Sequence, residues 1–558
     1  MNEHRAWVSS RLSVWLAVAC AAAGCGDPFR GWDCMNYEIE PERLRQIERM
    51  DISSMSADPK ADANQQPATQ PAATQPAATQ PAGELKLSLE QCRALALAGN
   101  LDLKVELLNP TIAAEGITEA EAQFEAVMFA NVAHARTDTP TSSTLSGSKI
   151  KSLNVTPGVR VPLRTGGSVT VDLPTNSVET NNAYSTLDPA YEADFRFAIS
   201  QPLLRGGGWR ANTHAIRVAR WQRQRSEALT KLEVIRVLAA VDRVYWQLYA
   251  AKRELEVRRQ DLALAEAQLD RARRQVAAGT KADVEILRAQ LGVAEKREAI
   301  IVAENEVRRR QRDLKRVLQK PGLEMASPTI VLPVTEPRVV LYHLQPKPLV
   351  ALAMANRTEL LDLELQIAQD ASTIDFERNG TLPLVTLAYT YNVNGLGATR
   401  SDAFDLMFEK RFEDHYLGLQ VEVPLGNQAA RSRLRRAILT RLQRLATRQR
   451  QRTLIEQEVR DSIDQLGANW QRILASRRRI VVAERVLVAE QRQFDQGLRT
   501  STEVLEAQTS LGNARSALIQ ALVDYQIAQV DLAFATGTVL AAARVRWEPI
   551  VPAGVGKN

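Results

Sequence analysis

The chain has 558 residues, a formal charge of +6 and an ordinary mix of 45% hydrophobic and 24% charged residues, but only 5% aromatics. That length is enough for several folded segments, and so small a net charge argues against a nucleic-acid binder. Ala, Leu, Arg, Glu and Gln dominate, which suits long helices. Arginine runs at Arg308 to Arg310 and Arg477 to Arg479 are interleaved with Glu, Asp and Gln and carry few aromatics. They read as solvated faces of coiled coils.

Arg5 and Arg11 precede an apolar run from Val14 to Ala23. The run is too short to span a bilayer and reads as a signal peptide over residues 1–24. Ala22-Ala23-Gly24-Cys25 resembles a bacterial lipobox, with Ala22 where Leu is usual. The resemblance implies cleavage before Cys25 and acylation of that cysteine; the alternative is an ordinary secretory signal with an incidental cysteine. Cys34 and Cys92 are isolated, with no CxxC and no Cys/His cluster, so neither a disulfide framework nor a metal site is expected.

Residues 25–56 form a short irregular segment. Residues 57–83 are rich in Pro, Ala, Thr and Gln, with Pro-Ala-Ala-Thr-Gln repeated at Pro71 and Pro76, and read as a semi-rigid extended spacer that cannot bury a core. The folded body starts near Leu85. Ser88-Leu-Glu-Gln91 is a capping-box signature, and the helix it opens runs to about Ala126 with a break near Asn109-Pro110. Two strands with period two follow. The clearer is Tyr191 to Ser200; the weaker lies near Phe129 to Thr137. Between them sits a further hairpin, Val159 to Leu163 and Val169 to Leu173, around Thr165-Gly166-Gly167.

A long helical hairpin comes next, with its turn at Gly279. Its ascending arm carries Val234, Val241, Leu248, Leu255, Leu262, Leu269 and Val276 at seven-residue spacing, and its return arm Ile286, Val293, Ile300, Val307 and Leu314. Spacing of seven held this long keeps one seam against a partner helix and implies a left-handed supercoil.

The whole pattern then recurs. A helix begins near Pro348, strands fall at Val385 to Tyr391 and Leu417 to Val423, and only a loop over about Gly395 to Glu413 separates them. The second hairpin repeats the first with a constant shift of 218 residues, from Gly279 to Gly497 and from Glu285-Ile-Leu-Arg-Ala-Gln290 to Glu503-Val-Leu-Glu-Ala-Gln508. This is an internal duplication, residues 84–325 and 326–540, with a tail over 541–558. The fold class is mainly α with a small β part.

Four principal strands of bilayer-spanning length cannot close a barrel alone. Either they lie on a soluble sheet, or several chains pool them. No catalytic constellation is present: the five histidines have no partner at metal-ligand spacing, and neither HExxH nor GxSxG occurs. No enzyme, cofactor or metal is expected.

The order of elements, the duplication, Ser200-Gln-Pro-Leu-Leu-Arg-Gly-Gly-Gly208, Val423-Pro-Leu-Gly-Asn427 and the two turn motifs resemble the TolC family of outer membrane efflux proteins over residues 84–540. The resemblance implies a homotrimer in the bacterial outer membrane, each protomer adding four strands to a twelve-stranded β-barrel and its helices to a periplasmic α-barrel. It implies export of substrates delivered by an inner-membrane pump through a periplasmic adaptor, with no nucleic acid involved. It also implies site residues. Glu503 and Glu506 match the acidic pair ringing the periplasmic constriction, Arg499 would close a salt bridge with Glu285, and Phe494 stands where a Tyr hydroxyl joins the closing network. Gly279, Thr280, Lys281, Gly497 and Leu498 would meet the adaptor. Each has a plainer reading, since glycines suit any tight helical turn and glutamates any helix start. The alternative function is a lipid-anchored periplasmic coiled-coil adaptor or scaffold without a channel.

Overall fold

The computed structural model describes residues 83–142 and 147–546. The signal, Cys25, the spacer and the end of the tail lie outside the described residues.

A short strand β1 (Glu84–Leu87) leads into α1 (Leu89–Gly99), α2 (Leu101–Glu106) and α3 (Asn109–Ala122). Ser88 and Gln91 form the expected capping box. The helix breaks at Asn100 as well as before Pro110. Asn100 ends α1 and caps α2, accepting from the Leu103 N–H at 2.9 Å. The corresponding junction of the second repeat is Arg357, between α7 (Pro346–Asn356) and α8 (Thr358–Gly380). Asn100 donates to the Val317 carbonyl and Arg357 to the Ala535 carbonyl, positions 218 apart, so the duplication is kept in contacts as well as in pattern.

The strands form one antiparallel sheet. Its members are β2 (Val127–Asp138), β3 (Lys149–Pro162), β4 (Ser168–Asp172), β5 (Thr175–Thr180), β6 (Ala190–Pro202), β8 (Leu384–Gly397) and β9 (Glu413–Glu422). The order is β2-β3-β4-β6-β8-β9, with β5 also paired to β3 and β6. The four expected strands are present as β2, β6, β8 and β9, and the extra hairpin joins the same sheet. The extra hairpin is not an appendage: it separates β2 from β6. Moreover β4 and β5 are one strand in a single register. Val171 lies opposite Val159 and Phe197, and Thr175 opposite Val155 and Ala193. Between them the Leu173 N–H still donates to Pro157 and the Pro174 carbonyl still accepts from Asp194, both at 2.9 Å. Pro174 has no N–H to give, which interrupts the ladder without ending the strand. The sheet is therefore six strands wide.

The turn between β3 and β4 returns to the helical end of the sheet. Gly166 has φ +92°, and a Cβ there would lie 2.1 Å from the Gly206 carbonyl. The Arg164 guanidinium covers the rings of Phe124 and Trp209. The expected loop of the second repeat contains a short helix, α9 (Arg400–Phe408), lying on β8 where Gly395 allows close approach to Ala403.

The two hairpins are α5 (His214–Ala277) with α6 (Val284–Leu318), and α10 (Gln428–Asp495) with α11 (Ser501–Ala535); a single turn, α4 (Trp209–Asn212), precedes the first. At ~1.5 Å per residue the longer arms extend about 100 Å. The heptad positions are buried or half-buried along both hairpins: Val241, Leu248, Leu314, Val459, Ile473 and Phe494 have no exposed surface. The segment joining the repeats adds β7 (Ile330–Pro333), parallel to β1, and wraps the middle of the bundle. Tyr245 holds it by donating to Leu87 and accepting from the Thr335 N–H, Tyr525 bonds Val340, and Gln526 bonds Arg338. Cys92 is a free thiol in the core there, its pKa pushed up to about 12 by burial. A final turn, α12 (Val539–Ala542), packs under α5. No helix among the described residues is long and apolar enough to cross a membrane.

Candidate functional site

The two hairpin turns lie side by side at the end of the bundle farthest from the sheet. Each is built the same way. Gly279 and Gly497 adopt φ +71° and +81°. The Thr280 N–H reaches back to Gln275 and the Gly279 N–H to Val276; Leu498 and Gly497 repeat this with Gln493 and Phe494. This paired bonding is a helix C-terminus closed by a left-handed residue, a conformation that favours glycine.

Beyond the glycines the two turns diverge. Thr500 and Glu503 form a capping box at the start of α11, with Glu503 Oε2 accepting from the Thr500 N–H at 2.7 Å. Its other oxygen pairs with Arg499 at 2.6 Å. Glu285 occupies the equivalent position in the first hairpin but does not cap its own helix. It reaches across to accept from the Ser501 N–H at 2.7 Å, at the N-terminus of α11, and also pairs with Arg288 at 2.7 Å. One helix start thus receives two carboxylates, where the backbone dipole favours negative charge. Lys281 makes the reciprocal crossing. Its Nζ donates to the Arg499 carbonyl at 2.8 Å and stands 5.0 Å from the centre of the Phe494 ring. Slightly deeper, Gly292 leaves room for Leu505; a Cβ there would lie 2.8 Å from that side chain.

These contacts latch one hairpin to the other within a single chain. They also revise the expected pairing. Arg499 bonds Glu503, Glu490 and Gln493 within its own hairpin, not Glu285. Arg499 lies four residues before Glu503 on the same turn, while the Glu285 carboxylate is occupied by a helix N-terminus. Phe494 has no hydroxyl to bond, and its fully buried ring packs with Leu487, Val504 and Leu511 beneath the Lys281 ammonium. Gly279, Thr280, Gly497 and Leu498 are exposed at the tip, Leu498 by 73%. Lys281 is half-buried in the latch. Glu506 is exposed one turn beyond Glu503.

The electrostatics follow the contacts. Burial raises the Glu285 pKa, but the Ser501 backbone N–H and Arg288 outweigh it and hold the carboxyl below the ordinary glutamate value. The Thr500 N–H and then Arg499 hold Glu503 low as well. The sequence reading placed Glu503 at a helix start without its Thr500 box, and it gave no sign that Glu285, at the matching position, would serve the other hairpin. Among the described residues no group of three or more His, Cys, Asp or Glu could hold a metal ion.

At the opposite end the sheet has two unlike faces. Residues directly opposite in an antiparallel pair point to the same side. Phe195, Phe197 and Ile199 therefore share a face with Val393, Tyr391 and Tyr389. Tyr416 lies opposite Thr390 and so sits on the other face, apart from these aromatics. That other face is polar, with Asp172 and Arg196 paired at 3.0 Å and Asn394 bonded to Asp414 at 2.6 Å.

The chain thus joins a two-faced antiparallel sheet to two duplicated coiled-coil hairpins. The model of the outer membrane efflux protein family matches residues 169–319 and 349–538, one segment in each repeat and more than half of the chain. The chain belongs to that family, whose members are outer-membrane channels. Among solved structures it is similar to CusC (15% identity, TM-score 0.60, covering 84% of this chain and 99% of that one). It is also similar to VceC from Vibrio cholerae (15% identity, TM-score 0.59, 80% and 96%) and to a membrane protein from Pseudomonas aeruginosa (19% identity, TM-score 0.60, 80% and 93%). At these identities the likeness is one of fold. No curated protein matches the sequence.

Proposed function

We propose that three copies assemble into an export duct, with the sheets forming one barrel in the outer membrane and the hairpins one tunnel beneath it. What supports this is the sheet: an apolar face runs across β3, β4, β6, β8 and β9 through Val159, Val171, Phe197, Tyr391 and Leu417, and both edges, β2 and β9, are unpaired among the described residues. An unpaired edge in lipid costs several kcal/mol for each exposed backbone group, so the edges must meet those of other copies. Family membership supports the same assembly. Transport energy comes from an inner-membrane pump, reached through a periplasmic adaptor that grips the exposed tips at Gly279, Thr280, Gly497 and Leu498. Cys25 carries the lipid anchor, and residues 57–83 span from it to the folded body.

The tips form the gate. Lys281 and Glu285 hold the two hairpins together in each copy, and opening requires these bonds to break. Three-fold symmetry gathers Glu503 and Glu506 around the axis, where they attract cations. Recording single channels in planar bilayers tests both ideas. Glu503→Ala combined with Glu506→Ala should lower cation preference; unchanged ion selectivity would count against the acidic ring. Failure of the native protein to conduct at all would count against the duct.

A further inference from the structure

The inserted strands β3 and β4 carry the same alternation as their neighbours, in register with them; β5 continues that register but is polar on both faces except for Val178. Val155, Val159 and Val161 of β3 and Val169 and Val171 of β4 fall on the apolar face that bears Phe197. Asn154, Thr156 and Arg160 of β3 and Thr170 and Asp172 of β4 fall on the polar face, where Asp172 meets Arg196. A hairpin standing above the membrane would be wetted on both sides and would need no such division. The insertion also spans the sheet from end to end. β3 pairs with β2 over the full length of β2, from Asp138 opposite Lys149 to Val127 opposite Arg160. Its turn then docks on the helical end through Gly166 and Arg164. Removing it from the wall would leave β2 with no partner and β6 paired on one side only, to β8.

We propose that each chain supplies six strands to the membrane wall, so that three copies close an eighteen-stranded barrel through pairing of β9 in one copy with β2 in the next. This rests on the trimeric duct reading. Six is even, so β2 and β9 run in opposite directions and the seam between copies is antiparallel like every other pair in the sheet. Barrel diameter grows nearly linearly with strand number, and barrels of this size hold an aqueous channel. With strands ~4.8 Å apart and tilted ~40°, eighteen give a backbone diameter of about 36 Å, against about 24 Å for twelve. The membrane mouth is then half as wide again as the family resemblance implies. The cargo limit is set at the periplasmic tips rather than in the barrel.

Electron microscopy of the detergent-extracted complex tests this. The expected particle has three-fold symmetry and a barrel about 36 Å across. Deleting residues 149–180 rejoins β2 to β6 through residues 139–148 and 181–189, and should shrink the barrel by about one third. A three-fold particle with a native barrel near 24 Å, its extra strands outside the wall, would overturn the six-strand wall and leave the duct standing. A particle without three-fold symmetry would overturn both. Thiol labelling in the full chain gives a second reading that does not depend on the deletion folding. Thr170→Cys should react with a membrane-impermeant reagent through the lumen, and Val171→Cys should be protected by lipid. Equal labelling of the two would overturn the inference.

Discussion

Glu285 and Lys281 are the residues through which one hairpin grips the other, and each makes charge-assisted bonds to the backbone. Such bonds contribute roughly 1.5–3 kcal/mol when shielded, and less at a tip that water reaches. Lys281→Ala and Glu285→Gln should each raise the fraction of time the channel spends open, on the order of tenfold for about 1.4 kcal/mol, as read from single-channel traces. Traces identical to the native protein would remove the latch. The sign of the pH response follows from the depressed values of Glu285 and Glu503. Their contribution is complete above the ordinary glutamate value and is lost as pH falls through the lower folded values. Acidification should therefore loosen the closed tips, and Glu285→Gln should blunt that response. At this scale the sequence was only partly legible. The capping role of Glu503 follows from Thr500 three residues earlier. The crossing of Glu285 to Ser501 depends on how two distant turns pack, and nothing local marks it.

The hairpin turns and the inserted strands are the elements most sensitive to single changes. Gly279→Ala and Gly497→Ala place a Cβ in the left-handed region and should each cost about 1–2 kcal/mol of local stability, visible as faster proteolysis at the tips. Gly166→Ala is harsher, because the carbonyl of Gly206 occupies the space the methyl would need. It should lower the thermal stability of the membrane part while leaving the tips intact; a native melting profile would mean that the turn does not anchor the insertion. The hairpins were readable because a seven-residue repeat is a long, redundant signal. The sheet was readable only where strands alternate cleanly, as in Tyr191 to Ser200. β5, Thr175–Thr180, is almost wholly polar, and Pro174 interrupts the strand it continues, so neither signals a membrane strand by itself. Only pairing with β3 and β6 gives these residues their place in the wall.

Over the whole molecule, duplication explains why one chain presents two near-equivalent hairpins and why their differences cluster at the tips. A helical seam needs only a partner of the same kind, so copying it is tolerated; a gate needs asymmetry, which the exchange of Glu285 and Lys281 supplies. The middle of the bundle, where the connecting segment binds Tyr245, Tyr525 and Gln526, keeps the two copies in step. In the proposed duct the unpaired sheet edges are completed by other copies of the same chain. The number of chains in each detergent-extracted particle, measured by light scattering with the detergent contribution subtracted, tests it most directly. Three chains per particle, held together in detergent, are expected. A single chain that stays in solution without detergent once its lipid anchor is removed would contradict it, because the apolar face would then be facing water.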